Sequence, residues 1–407
     1  MDDADTGSDP DLSAESGVDS DPASSPSPES MAALTADSDA STSQESNEDP
    51  TSTRTLATTT AVTTGTHLYV ATTGSDSNPG TATAPFKTIL KASKVAKPGT
   101  TVHVAPGSYP AGFSTTTSGT TTARIRYVSD VKWGAKLVPA ANTTSRIAWS
   151  VHGSNIDVEG FEVDGRSNPS WRIGLTTRGS NVVFKNNHVH HIATNVPCES
   201  NGAAGISNTH YYYGVNVQIL GNVVHHIGYT GCQYYQGIYH QTTGAIKNNV
   251  VYKIGKTAIQ LWHDANNTVI ANNTVFSSDV GIKVGGGGFY HNAINDYTHV
   301  SNNIVFDNVD GIREVGVTGT HNTYTNNLVF RNSNISVHLK NGNTHSGTIK
   351  ADPQFVNYIR DGGGDYRLKS TSPAVNKGSA TYAPPTDIVG TPRPQGGVDD
   401  LGAYEYK

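Results

Sequence analysis

From Asn186 onward the chain repeats one pattern of polar and apolar positions, an Asn pair followed by apolar or aromatic residues. The segments NNHVH at Asn186, GNVVH at Gly221, NNVVY at Asn248, NNTVF at Asn272, NNIVF at Asn302 and NNLVF at Asn326 align on it. Only the second departs, with Gly in place of the first Asn. Successive starts lie 35, 27, 24, 30 and 24 residues apart, a repeat of variable length with insertions. Between these segments a small residue is followed by Ile and an extended stretch: GISN at Gly205, GIYH at Gly237, AIQL at Ala258, GIKV at Gly281 and GIRE at Gly311. Each unit therefore predicts two or three short strands separated by Asn- or Gly-marked turns, which is one coil of a β-solenoid.

A single coil holds too few apolar residues to fold alone, so its Val and Ile positions must stack on those of its neighbours. Asn at equivalent turns can hydrogen-bond from coil to coil, as amide ladders do in cross-β assemblies. A β-sandwich or propeller also uses many short strands, but a sandwich gives no aligned Asn pairs at such spacing. The expected fold is all-β, a right-handed parallel β-helix with an N-terminal capping helix.

The ends read differently. Leu68 to Tyr109 predicts a strand, a Gly/Asn/Pro loop, an amphipathic helix around Phe86 to Val95 and another strand. A helix there would cover the open apolar end of the first coil. The last stretch, ADPQFVNYIRDGGGDYRLKSTSPAVNKGS and DIVGTPRPQGGVDDLGAYEY, is loop-rich and is expected to fold back along the solenoid as a C-terminal cap. The organisation expected is thus a tether at 1–65, a β-helix with its N-terminal cap at 66–350 and a cap segment at 351–407.

Composition sets the first segment apart. Ser, Thr, Asp, Glu, Pro and Ala dominate it, so it cannot bury enough apolar surface to offset the entropy of ordering. It carries 14 acids against the single Arg54, which leaves an excess of 7 positive charges for the rest of a chain whose formal net charge is -6. Without a dense Lys/Arg run this excess is a weak footprint for nucleic acid, though compatible with an acidic polymer. No run approaches the roughly 18 apolar residues of a membrane span. The start MDDADTGSDP has neither the basic head nor the apolar stretch of a signal peptide, so export would need a leader that these residues do not supply. We expect a monomeric protein, secreted or tethered to the bacterial surface.

Cys198 and Cys232 match no zinc spacing. They follow Asn186 and Gly221 by 12 and 11 residues, which places them in equivalent loops of adjacent coils, within disulfide reach. A bridge is expected, with a packed pair of thiols as the alternative.

The segment from Leu68 resembles the N-terminal stretch of bacterial parallel β-helix proteins that include pectate lyases and alginate or chondroitin lyases. The closing elements Asp-Pro-x-Phe, Asp-Tyr-Arg-Leu, Ser-Pro-Ala and Gly-Ala-Tyr-Glu-Tyr are similar to the tail of secreted β-helix proteins of environmental bacteria. The resemblance covers roughly Leu68 to Lys407 and is architectural. It implies an acidic polysaccharide as partner without fixing a reaction.

Strand alternation locates candidate chemistry. If each Ile of the GI elements points inward, the next residues form an outward column of Ser207, Tyr239, Gln260, Lys283, Arg313 and Ser336. Two residues further lies a second column, Thr209, Gln241, Trp262, Gly285, Val315 and His338, with His263 after Trp262. The exposed Trp262 offers a surface for a sugar ring, beside Gln260 and Gln241, and the cations could attract a uronate carboxylate. β-Elimination in a uronic-acid polymer needs the carboxylate neutralised, the C5 proton removed and the leaving oxygen protonated. In the alginate and chondroitin lyases that the chain resembles, a Lys and an Arg on neighbouring coils act as base and acid; Lys283 and Arg313 match them by column. Calcium is a candidate neutraliser in place of Arg. Tyr239, His240, His263, Lys283, Arg313 and Glu314 form the candidate catalytic group, with Glu314 nominally inward, where a lone carboxylate is costly unless paired.

Two other clusters carry alternatives. His188, His190, His191, His225 and His226 could bind a metal or act as a base, or continue a side-chain stack running His190, His225, Tyr252, Phe276, Phe306 and Phe330. Asp157, Glu159, Glu162 and Asp164 could support hydrolysis or hold calcium, or form a solvated acidic row. The Asp-Pro-His-Asp motif of mannuronan epimerases is absent. The leading expectation is a polysaccharide lyase; a glycoside hydrolase and a non-catalytic glycan-binding surface protein are the alternatives.

Overall fold

The computed structural model describes residues 65–166, 170–209, 214–287 and 294–407; apart from Gly65, the acidic tether lies outside them. The chain forms a right-handed parallel β-helix. Each coil visits three parallel sheets in turn. The first sheet has eleven strands among the described residues, from His67–Val70 to His345–Ser346. The second runs from Gly107–Ala111 to Leu328–Phe330 and the third from Phe113–Thr115 to Ile335–His338, with nine strands each.

The Asn pair marks the turn from the first sheet to the second, and its two members do different work. The second Asn of each pair is buried and joins a continuous amide ladder. Asn187 Nδ2 donates to Asn222 Oδ1 at 3.1 Å, Asn222 to Asn249 at 3.0 Å, Asn249 to Asn273 and Asn273 to Asn303 at 2.9 Å, and Asn303 to Asn327 at 3.0 Å. Each of these oxygens also accepts the backbone N–H of the preceding coil's Asn, as Asn273 Oδ1 does from Asn249 at 2.9 Å. The other amide hydrogen satisfies a carbonyl of the first sheet, such as Ile219 O from Asn249 at 2.9 Å. The turn therefore leaves no buried amide of this column unpaired, which the dry interior requires.

The first Asn adopts a left-handed backbone, with φ of 57° at Asn186, 57° at Asn248 and 55° at Asn272. Asn tolerates that region and Gly enters it without strain, which explains Gly221, at φ 64°, as the one departure. The same column reaches outward to the C-terminal segment: Asn272 Nδ2 donates to Asp400 O at 3.0 Å, Asn302 to Ser379 O at 2.7 Å and Asn326 to Lys377 O at 3.0 Å.

Ile206, Ile238, Ile259, Ile282 and Ile312 pair in register along the third sheet and are buried. The small residue before each Ile also faces the core: a Cβ on Gly237 would lie 2.7 Å from Val251 Cγ1. A helix, Ile89–Val95, follows the first strand, with Thr88 as its N-cap and Ile89 and Ala92 buried.

The aromatic column of the second sheet is in register through His190, His225, Tyr252, Phe276, Phe306 and Phe330. Its rings stack: Tyr252 and Phe276 lie 4.8 Å apart at 2°. The C-terminal segment packs on its apolar part, where Phe355, Tyr366, Leu368, Ala374, Ile388 and Leu401 cluster with Tyr252, Phe276 and Phe306. Cys198 and Cys232 form the expected disulfide, with Cα atoms 5.5 Å apart.

Candidate functional site

Lys283 and Arg313 occupy paired register positions on neighbouring strands of the third sheet, Val280–Gly286 and Asp310–Gly316. Tyr239 pairs with Gln260 and Gln260 with Lys283, so the outward column is continuous. One register position differs from the sequence reading. Ile312 pairs with Val337, which puts His338 rather than Ser336 opposite Arg313.

Trp262 lies beside this column. Its indole rests over two glycines, and a Cβ on Gly285 or Gly316 would come within 2.8 Å and 2.5 Å of the ring. Lys283 Nζ sits 4.9 Å from its centroid, a cation–π contact. The rings of Tyr239 and His263 are 6.2 Å apart. Tyr239, Trp262, His263, Lys283 and Arg313 are half-buried, whereas Gln260 and Gln241 are buried. Arg313 Nη1 donates to Asp310 Oδ2 at 2.7 Å, and Asn334 Nδ2 donates to the other oxygen at 2.9 Å.

Two members of the expected catalytic group are inside instead. His240 is fully buried, with Nδ1 3.1 Å from Asn208 Nδ2, and desolvation pushes its pKa down to about 4. Glu314 accepts from Tyr324 Oη at 2.7 Å, Asn322 Nδ2 at 3.1 Å, Asn343 Nδ2 at 2.9 Å and the Lys340 backbone N–H at 2.6 Å. This network satisfies the buried carboxylate and ties the last coils together. Alternation by two already puts both residues on the inward side of their strands.

The acidic row is divided by the turn at Gly160. Asp157 and Glu159 lie on the first sheet, where Arg124 Nε donates to Asp157 at 2.8 Å and Lys185 pairs with Glu159 at 3.3 Å. Glu162 and Asp164 lie on the second, where Glu162 is 2.8 Å from Lys136 Nζ and Asp164 2.6 Å from Arg166 Nη2. Each of the four has a cationic partner.

Glu162 and Asp164 also meet the histidines. Glu162 pairs in register with His188 and Asp164 with His190, because the segment from Gly160 continues the Asn-pair repeat one coil upstream, with Gly160 at the left-handed position, φ 79°. That alignment of GFEVD with NNHVH was a sequence signal for this cluster, hidden by the loss of both Asn residues. His190 Nε2 is 3.2 Å from Glu162 Oε1 and its Nδ1 is 2.8 Å from His191 Nδ1. His225 contacts His188 Nε2 at 2.8 Å and His226 Nδ1 at 2.7 Å. Desolvation, reinforced by neighbouring imidazoles, pushes His188 and His191 down to about 4 and His225 lower still. Burial raises Glu162, but hydrogen bonds from Lys136 and His190 outweigh it and leave it below the ordinary carboxylate value.

No curated protein matches the chain in sequence. Residues 68–211 match the family model described as "Pel9A-like, right handed beta helix region". Among solved structures, pectate lyase Pel9A superposes with a TM-score of 0.58 at 16% identity over 85% of this chain and 98% of its own. A rhamnogalacturonan lyase superposes at 0.55 with 18% identity over 72% and 91%, and a glycoside hydrolase at 0.52 with 9% identity over 70% and 96%. These likenesses show the fold, and the chain is thereby a right-handed parallel β-helix protein resembling those of the pectate-lyase type.

Proposed function

We propose that the chain is a polysaccharide lyase that cleaves a uronic-acid-containing polymer by β-elimination on the outer face of the third sheet. The observation that carries this reading is the register pairing of Lys283 with Arg313 beside the Lys283–Trp262 contact. A sugar ring laid on the indole meets Lys283. A guanidinium holds its charge at all working pH values, so Arg313, whose Nη1 also donates to Asp310, takes the uronate carboxylate through its remaining Nη hydrogens. Lys283, acting as the neutral amine, takes the C5 proton; the electron pair of that bond forms the C4=C5 double bond as the C4–O bond breaks, and the Tyr239 hydroxyl protonates the departing oxygen.

Similarity to lyases of this architecture adds support, while the hydrolase of the same fold keeps hydrolysis as the second enzymatic reading. Paired free acids are what hydrolysis needs, and the four acids of the row are each matched to a cation. Calcium prefers oxygen ligands, and the clusters of potential ligands among the described residues are mixed carboxylate and imidazole sets. We read the helix Ile89–Val95 as the cap of the first coil. The disulfide points to an oxidising compartment, hence to export; among the described residues no helix is long and apolar enough to cross a membrane.

The test is ultraviolet absorbance of the unsaturated product on alginate, pectate, glucuronan and bacterial exopolysaccharides, with and without calcium. A rise abolished by Lys283→Ala or Arg313→Ala supports the reading. New reducing ends without absorbance move the assignment to hydrolysis, and neither signal with retained polymer binding moves it to a glycan-binding protein.

A further inference from the structure

We infer that Glu162, His188 and His190 form a binding site for a divalent first-row transition-metal cation such as zinc. The three side chains project from the same face of two paired strands, Glu162–Asp164 and His188–Ile192. Each offers one ligand atom, and these atoms lie within 4.8 Å of one another. Two imidazoles and one carboxylate are a set that zinc and its neighbours in the series accept, and three protein ligands leave a position open for water or substrate.

The surroundings suit such a site. The Lys136 ammonium holds Glu162 Oε2 at 2.8 Å, which orients the carboxylate and leaves Oε1 directed at His190 Nε2. His190 has an outer partner for its other nitrogen, with Asp164 Oδ1 at 3.6 Å and His191 Nδ1 at 2.8 Å. An imidazole that ligates through Nε2 must carry its proton on Nδ1, and an acceptor placed there fixes that tautomer. His188 packs at a tilt against Trp133, with ring centroids 4.6 Å apart, which restricts its orientation.

The aromatic column shows the same change along its length. Where the C-terminal segment packs on it, the residues are Tyr and Phe; toward its N-terminal end they become His and then Asp. Ring stacking alone would be served by Phe throughout, whereas nitrogen donors are concentrated beside the two carboxylates. The site lies on the second sheet and the lyase reading concerns the third, so either can fail without the other.

The experiment is a cobalt(II) titration of the tag-free full chain, followed by zinc competition. The expected result is ligand-field absorption that saturates at one equivalent and is displaced by zinc, while calcium has no effect. His190→Gln and Glu162→Gln are expected to weaken zinc binding by at least about 100-fold, beyond the effect typical of outer partners. Circular dichroism of each variant shows whether it is folded; if one is not, the wild-type titration and His188→Gln decide. Absence of the absorption in the folded wild-type chain, or binding unchanged in folded variants, overturns the site.

Discussion

The ammonium of Lys283 lies 4.9 Å from the ring centroid of Trp262, and that indole rests on Gly285 and Gly316. The strand pairing that sets Lys283 against Arg313 thus also supplies the flat space the indole occupies. Replacing Lys283 with Ala is expected to lower kcat/KM on the polymer by about 100- to 10,000-fold, the range of a lost proton-transfer group. Tyr239→Phe is expected to lower kcat with little change in KM, and Trp262→Ala to act mainly on KM; steady-state kinetics separates the three.

A methyl group at position 316 meets the indole at 2.5 Å, in a backbone with φ of 69°. Gly316→Ala is therefore expected to displace Trp262 and cost about 1–3 kcal/mol. Tryptophan fluorescence and urea unfolding would show both changes, and an unaltered emission spectrum would contradict the placement of the ring.

The amide ladder makes a stronger stability prediction. Asn249 donates to Ile219 O and Asn273 Oδ1 and accepts twice from Asn222. Asn249→Ala leaves several buried groups without partners, at about 1–3 kcal/mol each before relaxation. A loss of at least about 3 kcal/mol in denaturant unfolding is expected.

His240 gives the pH dependence of stability a direction. Its folded pKa of about 4 lies below the ordinary 6.5, so the unfolded chain takes up the proton first as pH falls. Its contribution is intact above about 6.5 and lost progressively toward about 4. The full difference corresponds to about 3 kcal/mol at about 1.4 kcal/mol per pKa unit. His240→Gln should flatten the stability profile across that window; an unchanged slope would count against a buried neutral imidazole.

Removing residues 351–407 is expected to uncover Tyr252, Phe276 and Phe306, which cluster with Phe355 and Tyr366. An exposed apolar face of this kind binds hydrophobic dyes and promotes association. Dye fluorescence and light scattering of the shortened chain should both rise.

Much of the fold was legible because a solenoid writes its contacts into the spacing of the chain. The Asn pairs, the Ile column, the aromatic stack and Cys198 with Cys232 all recur at coil intervals, and a coil's neighbours in space are the next coils in sequence. The outward column from Ser207 to Arg313 followed from alternation alone. Its last step did not, since a slip of register in the strand Ile335–His338 puts His338 where Ser336 was expected. Asp157 and Glu162 are five residues apart and look like one acidic row, yet a turn at Gly160 sends them to different sheets and different cations. Only the tertiary structure decided the partners of Glu314, the glycines under Trp262 and the contact of Glu162 Oε1 with His190 Nε2, although the GFEVD–NNHVH alignment already set their strands side by side. Periodicity specifies which backbone positions stack, whereas the partner of a polar side chain depends on rotamer, turn geometry and desolvation, which carry no period.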